Sequence, residues 1–201
     1  MLPIDRRNAL FAHMNTTTEK HGNKRVPVAD LKFEMRIDNG ILAHFHPLLR
    51  DSFFKRAEPE EGADLADQAA HPDQLLVPKF SDDRLGSIKW SQRLVGGTLT
   101  VHFGVSGRAD IVIDDTKIEA FALTFMDGGQ VEMVFTVRGY PSGEQIARLY
   151  DLQRQSVEIS FEPPSADYEP PLFEDDDEDD EDDEAEPVEA ELDDEEEAEE
   201  A

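Results

Sequence analysis

The sequence predicts an α+β protein that is mainly antiparallel β-structure, a sandwich or a partly closed barrel, with one or two helices and a disordered acidic tail. Stretches of alternating apolar and polar residues recur through the body. Two Gly-Gly pairs lie inside such stretches, as hairpin turns require. Residues 174–201 hold 21 acidic residues among 28 and no basic one. A segment of that composition cannot bury enough apolar surface to fold.

Composition divides the chain into four parts. Residues 1–26 are mixed and polar, and we expect a loosely ordered arm. Residues 27–162 carry the apolar alternation and form the β-rich domain, in which the acidic, Ala- and Pro-rich segment at about 57–74 indicates an insertion loop. Residues 163–173 form a Pro-rich linker that leads to the tail at 174–201.

The first predicted element is the strand ADLKFEMRID, in which Leu31, Phe33, Met35 and Ile37 face one side. The next apolar cluster begins at Asn39-Gly40 and favours a short helix broken near Pro47.

The segment SIKWSQRLVGGTLTVHFGV is predicted to form a hairpin that turns at Gly96-Gly97. This register places Trp90 opposite Phe103 on an apolar face. It places three further residues on the polar face, namely Lys89, Arg93 and His102.

A second hairpin is predicted to turn at Gly128-Gly129, with Met126 opposite Val131 and a Glu119–Arg138 pair at its far end. The segment SGEQIARLYDLQ follows and indicates a helix. Its capping box is Ser142 and Gln145, and its apolar stripe is Ile146, Leu149 and Tyr150. The alternating segment SVEISFE predicts the last strand.

The candidate binding surface comes from a stretch without acids. No acidic residue occurs from 84 to 109, although the body averages about one in seven. A β-ribbon with cations on one face can follow a phosphate backbone, and aromatic rings can stack on bases. The predicted nucleic-acid-binding residues are Arg84, Lys89, Trp90, Arg93, His102 and Arg108. The alternatives are a solvated cationic face and, for Trp90 and Phe103, packing in the core.

Motifs for catalysis, cofactors or metals are absent from the sequence, and we predict no enzyme, no catalytic residue, no cofactor and no metal site. The chain lacks cysteine, which excludes disulfides and thiolate ligands. His44 and His46 could share a zinc ion if they lay on a strand, but no further ligands lie nearby in the sequence. Asp115-x-Lys117 matches a short pattern of metal-dependent nucleases, which a local turn also explains. No apolar run reaches the length of a membrane span, so we expect a cytoplasmic protein without membrane contact.

The tail has nearly the charge spacing of a nucleic acid. Its 28 residues extend to on the order of 90 Å. Its 21 charges then lie about 4 Å apart, close to the ~3.4 Å between phosphates along one DNA strand. The tail can therefore compete for a surface that binds nucleic acid, or attract a basic partner. A role in solubility alone is the third possibility.

A β-rich body followed by an acidic C-terminal tail resembles the layout of phage and bacterial single-stranded DNA-binding proteins. The resemblance implies a non-enzymatic protein that binds single-stranded nucleic acid without sequence preference, from a phage or prophage, acting in the host cytoplasm. It further implies a tail that competes for the DNA groove and recruits partners. Those tails end in an apolar tip, whereas this chain ends Glu-Glu-Ala.

In the alternative hypothesis the partner is a positively charged protein and not a negatively charged nucleic acid. The chain would be an acidic decoy that binds a basic protein, either as a DNA mimic or as a chaperone. Oligomeric state and the choice between DNA and RNA stay open.

Overall fold

The structure of the protein is a computed structural model, which describes residues 4–22, 24–57, 76–80, 86–103 and 109–164. The predicted insertion loop, apart from its first residue, lies outside these ranges. Most of the predicted linker and all of the predicted tail lie outside them as well.

The described residues form nine strands, two α-helices and two short 3-10 segments. The strands are β1 (Ile4–His21), β2 (Lys24–Asp38), β3 (Phe54–Arg56), β4 (Leu76–Pro78), β5 (Ile88–Trp90), β6 (Leu94–His102), β7 (Ile111–Met126), β8 (Gln130–Gly139) and β9 (Ser156–Glu162). The helices are α1 (Leu49–Phe53) and α2 (Gly143–Leu152), and the 3-10 segments are Asn39–His44 and Asp127–Gly129.

Six strands close into an antiparallel barrel. Their order is β7-β6-β9-β1-β2-β8, and β8 pairs back onto β7. β5 continues the line of β6 beside β7, while β3 and β4 form a separate two-stranded ladder. The predicted antiparallel β-class is confirmed, and the barrel is closed rather than partly closed. Closure leaves no unpaired edge in the ring.

The barrel interior is filled by a row of phenylalanine rings. Phe11 stacks on Phe33 at 5.1 Å between ring centroids, Phe33 lies 5.8 Å from Phe135, and Phe135 lies 6.1 Å from Phe121. All four side chains are buried. They come from β1, β2, β7 and β8, so the row joins strands that are far apart in sequence.

Several predicted elements are confirmed in place. The capping box of α2 is present, with Ser142 and Gln145 each bonding the other's backbone. Leu149 is buried as predicted, whereas Tyr150 is 69% exposed and does not share the buried stripe. The helical break near Pro47 separates the first 3-10 segment from α1. β9 covers the predicted residues.

The predicted loose arm is wrong, because residues 4–21 form the long strand β1. This strand pairs with β2 along most of its length and with β9 near its start. Bulges interrupt both ladders, so the buried residues Ile4, Ala9, Phe11 and Met14 are unevenly spaced. The bulges conceal the period of two by which a strand is recognised in sequence.

The predicted turn at Gly96-Gly97 is also wrong, because both glycines lie within β6. Gly96 takes a φ of +86° at a bulge against β7. A Cβ on Gly97 would lie 2.1 Å from Cζ of Phe161, so the missing side chain makes room for that ring. The Thr116 hydroxyl donates to the Gly97 carbonyl at 2.8 Å. The glycines bend the barrel wall and do not reverse the chain.

The second Gly-Gly hairpin is confirmed, but its register differs from the prediction by one residue. Asp127–Gly129 form the connection, and Gly128 takes a φ of +72°. Three connecting residues place Met126 opposite Gln130 and Phe125 opposite Val131.

Candidate nucleic-acid interface

The polar face predicted for the first hairpin is absent, because that hairpin does not form. The three residues predicted on that face instead follow one another along one line beside β7. They are Lys89 on β5, Arg93 between β5 and β6, and His102 at the end of β6. Arg93 and His102 are nine positions apart, or about 30 Å along an extended chain. Arg84 and Arg108 lie outside the described residues.

Arg93 shares its nearest carboxylate with a second cation. Its Nε lies 3.4 Å from Oε2 of Glu119, and the Lys117 Nζ lies 3.3 Å from the same oxygen. A phosphate that binds Arg93 would have to displace the Glu119 carboxylate or lie close to its negative charge. The ion pair therefore weakens the attraction of this part of the surface for polyanions.

His102 is engaged at both ring nitrogens. Its Nδ1 lies 2.8 Å from Oδ2 of Asp110, and its Nε2 lies 2.8 Å from Oγ of Ser160. The backbone N–H of Phe103 and then the His102 ring lower the pKa of Asp110. Since the His102 side chain is only 11% exposed, it offers little surface to a phosphate.

The two aromatic residues differ in their surroundings. Trp90 is half-buried and packs edge-on against Phe45, with ring centroids 6.1 Å apart. This is the core-packing alternative of the two that the sequence left open. Phe103 is 49% exposed at the end of β6.

The β1–β2 hairpin projects beyond the strands beside it. β9 pairs with β1 only from Ile4 to Leu10, and β8 pairs with β2 only from Ala29 onward. Among the described residues, 17–21 and 24–28 pair only with each other. The far part of this hairpin therefore stands out as a two-stranded ribbon.

The end of this ribbon carries three exposed cations, Lys20, Lys24 and Arg25, which we call the cationic tip. Lys20 and Arg25 lie directly opposite each other in the ladder. Like charges at such positions are close enough to destabilise the pair. A bound anion would relieve this repulsion, which makes the tip a candidate phosphate site.

The acidic residues near the tip are turned toward an arginine at its base. Glu19 pairs with Arg138, and it also accepts from the Tyr140 hydroxyl at 3.2 Å. Asp30 lies 3.6 Å from the same Arg138. Tyr140 is 39% exposed, so an aromatic face lies beside the base of the cationic ribbon.

These three cations lie in the segment 1–26, for which the sequence predicted a loosely ordered arm. The segment that could have predicted the β1–β2 hairpin is TTTEKHGNKR, in which Gly22 takes a φ of +59° at the turn. Three threonines before a Gly-Asn dipeptide are typical of a hairpin, but few apolar residues flank them. The segment therefore lacks the alternation by which the other strands were predicted.

A second group of cations, Lys55, Arg56 and Lys79, lies on and beside the β3–β4 ladder. The chain that connects these two strands carries six acidic residues and no Lys or Arg. Residues 55–79 therefore have a net negative charge in sequence. The cationic tip, whose neighbour Glu19 pairs with Arg138, is the more favourable candidate for binding an anion.

Two kinds of site are absent from the residues that the structure describes. No group of three His, Cys, Asp or Glu side chains is placed to hold a metal ion. No helix in these ranges combines the length and apolar character needed to cross a membrane.

The fold and surface define a closed antiparallel β-barrel that presents a projecting cationic hairpin. No family model matches the chain, and no curated protein or solved structure shows significant similarity to it.

Proposed function

We propose that this protein binds single-stranded nucleic acid without sequence preference, through the cationic tip of the β1–β2 hairpin, and that its acidic tail tunes this binding. The observation that carries the proposal is the direct pairing of Lys20 with Arg25, with Lys24 beside them. The anionic backbone of a nucleic acid is the ligand that such a ribbon attracts most strongly.

Tyr140 supports a preference for single strands. Its exposed ring lies beside Glu19, which precedes Lys20 in the chain. Unpaired bases can stack on such a ring, and this contact is worth about 1–3 kcal/mol per base. Every base has an aromatic face, so this contact carries no sequence preference.

The tail supports a self-competing mechanism. Its 21 negative charges have nearly the spacing of phosphates, and the tail belongs to the same molecule as the cationic tip. A tethered competitor acts at a local concentration in the mM range when its linker can span the distance. Nucleic acid must then compete with the tail for the tip.

Titration of a fluorescent single-stranded oligonucleotide at several salt concentrations tests the proposal. The chain without residues 174–201 should bind about tenfold more tightly than the full chain. Three phosphate contacts predict a slope of log K against log salt of about −2. A full-length chain whose tail acids are replaced by Gln and Asn is the matched control, and it should bind like the truncated chain. Absence of oligonucleotide binding by all three forms would contradict the proposal.

The acidic decoy is the second candidate function. Paired carboxylates such as Glu119 neutralise cations on the barrel surface, and the body without the tail carries 26 acidic against 19 basic residues. This hypothesis predicts that a lysine-rich peptide binds the full chain and loses binding when the tail is removed. It also predicts that neither form binds the oligonucleotide.

A further inference from the structure

Three side chains on the outer barrel wall form a hydrogen-bonded series from a hydroxyl through an imidazole to a carboxylate. The Ser160 Oγ lies 2.8 Å from Nε2 of His102, and the His102 Nδ1 lies 2.8 Å from Oδ2 of Asp110. The same order of groups activates serine nucleophiles on unrelated folds, where it is recognised by geometry.

The barrel brings these residues together across three strands. His102 ends β6, Asp110 directly precedes β7, and Ser160 lies on β9. β6 pairs with β9 on one side and with β7 on the other. His102 therefore lies between its two partners, with His102 and Ser160 on paired strands and Asp110 at the start of a third.

Asp110 is fixed as an anion that orients the imidazole. Its Oδ1 accepts the Phe103 N–H at 2.9 Å, and this bond with the His102 contact lowers the pKa of the carboxyl. An ionised Asp110 holds the proton on Nδ1 of His102. Nε2 is then the acceptor that faces the Ser160 hydroxyl.

A strained bulge aims a donor at the same hydroxyl. Arg6 has a φ of +42°, and its backbone N–H donates to Ser160 Oγ at 3.0 Å. The pairing of β1 with β9 shifts register at this point. Non-glycine residues in this conformation are strained, and such strain clusters at functional sites. The Arg6 N–H holds the Ser160 hydroxyl oxygen in place, so that the hydroxyl proton is directed at Nε2 of His102.

We propose that Ser160 is an activated nucleophile that accepts acyl groups from small activated esters. The Ser160 Oγ bonds to the carbonyl carbon while its proton passes to Nε2 of His102. The bond to the leaving alcohol breaks, and the alcohol takes that proton. Water then attacks the acyl-serine, gives a proton to His102 and releases a carboxylic acid, and Ser160 recovers its proton. Because Ser160 is 8% exposed, only small acyl groups reach it.

Labelling of the full-length protein with methanesulfonyl fluoride, a probe no larger than a small acyl group, tests this assignment. The Ser160 oxygen would form a bond to sulfur, fluoride would leave, and His102 would take the proton. Mass spectrometry of peptides should show Ser160 modified at least about 100-fold faster than Ser156, an exposed serine of the same strand. An unmodified Ser160, or equal rates at the two serines, would overturn the proposal without any variant being made.

Variants then separate a catalytic from a structural role. His102→Ala should lose the labelling, and added imidazole should restore it, which a purely structural histidine would not allow. Asp110→Asn should lower the maximal labelling rate at unchanged probe affinity, because Asp110 positions the imidazole. Labelling that persists in His102→Ala without imidazole would contradict the proposal. Charge reversal at the cationic tip should leave labelling unchanged, so this test is independent of nucleic-acid binding.

Discussion

The β1–β2 hairpin and the β5–β6 segment (residues 88–102) both carry cations, but the carboxylates near those cations face in different directions. Beside the β5–β6 segment, Glu119 of β7 lies 3.4 Å from Arg93 and also contacts a lysine. At the hairpin, Glu19 is held by Arg138 at the base. The Glu19 carboxylate is therefore drawn to the base of the hairpin, whereas the Glu119 carboxylate partly offsets the charge of Arg93 and Lys117.

The difference shows that cross-strand neighbours decide whether a cation can attract a polyanion. Residues 84–109 contain no acid, yet the carboxylate that neutralises Arg93 comes from position 119. The tip has Glu19 next to Lys20 in sequence, yet the Glu19 carboxylate pairs with Arg138 instead. Distance in sequence from an acid is therefore a poor guide to which cations are ion-paired.

The largest expected effect concerns the path of the β5–β6 segment. Gly97→Ala should lower the free energy of unfolding by at least about 2 kcal/mol, because its Cβ would overlap the Phe161 ring and approach the Glu162 carbonyl oxygen within 2.8 Å. Gly128→Ala is the control, since only its φ of +72° opposes a side chain, at a cost of about 1–2 kcal/mol. Chemical denaturation measures both. A harmless Gly97→Ala would contradict the close packing of Gly97 against the Phe161 ring.

A smaller effect is expected when the carboxylate that pairs with Arg93 of the β5–β6 segment is removed. Glu119→Gln removes the carboxylate shared by Arg93 and Lys117. In the tail-less chain, this change should strengthen oligonucleotide binding by about three- to tenfold and steepen the salt slope by up to about 1.4. Glu132→Gln, which frees only Arg36, is the matched control. Unchanged affinity in Glu119→Gln would show that this carboxylate does not suppress binding.

The smallest expected effect is on the pH dependence of stability, and it comes from Asp30 at the base of the hairpin. Burial, and then the Glu119 carboxylate, raise the pKa of Asp30, and the Arg138 contact at 3.6 Å does not reverse this. The folded state then holds this proton more tightly than the unfolded state, so the protein loses stability as pH rises through the raised pKa.

Asp30→Asn should remove that loss, with a change of about 1 kcal/mol or less at neutral pH. Thermal unfolding from pH 4 to pH 7 measures it, and Asp127→Asn in the exposed 3-10 segment serves as control. If wild type and Asp30→Asn lose stability in parallel over this range, the assignment to Asp30 is wrong.

Much of the fold could be predicted where local pattern and tertiary environment agree. β2 and β9 alternate cleanly, and Ser142 with Gln145 marks the start of α2. β1 could not be predicted, because bulges disturb its alternation. Gly96-Gly97 was mistaken for a turn because a glycine that makes room for Phe161 has the same sequence signature as a glycine that turns the chain.

The candidate sites were harder to predict than the fold. The cationic tip lies in the segment predicted as a loose arm, and its role depends on the pairing of Lys20 with Arg25, which the structure shows. The hydrogen-bonded series that ends at Ser160 left no pattern in the sequence, because His102 and Ser160 are 58 positions apart. Such a group becomes visible only when the barrel closes and fixes the register between β6 and β9.

The most direct test of the central claim compares two matched charge reversals in the chain without residues 174–201. Lys20→Glu/Arg25→Glu and Lys89→Glu/Arg93→Glu change the net charge equally. With a fluorescent oligonucleotide at low salt, the hairpin variant should lose at least about 100-fold in affinity, and the β5–β6 variant should lose less than about threefold. Equal losses, or a larger loss in the β5–β6 variant, would contradict the claim that the hairpin is the binding surface.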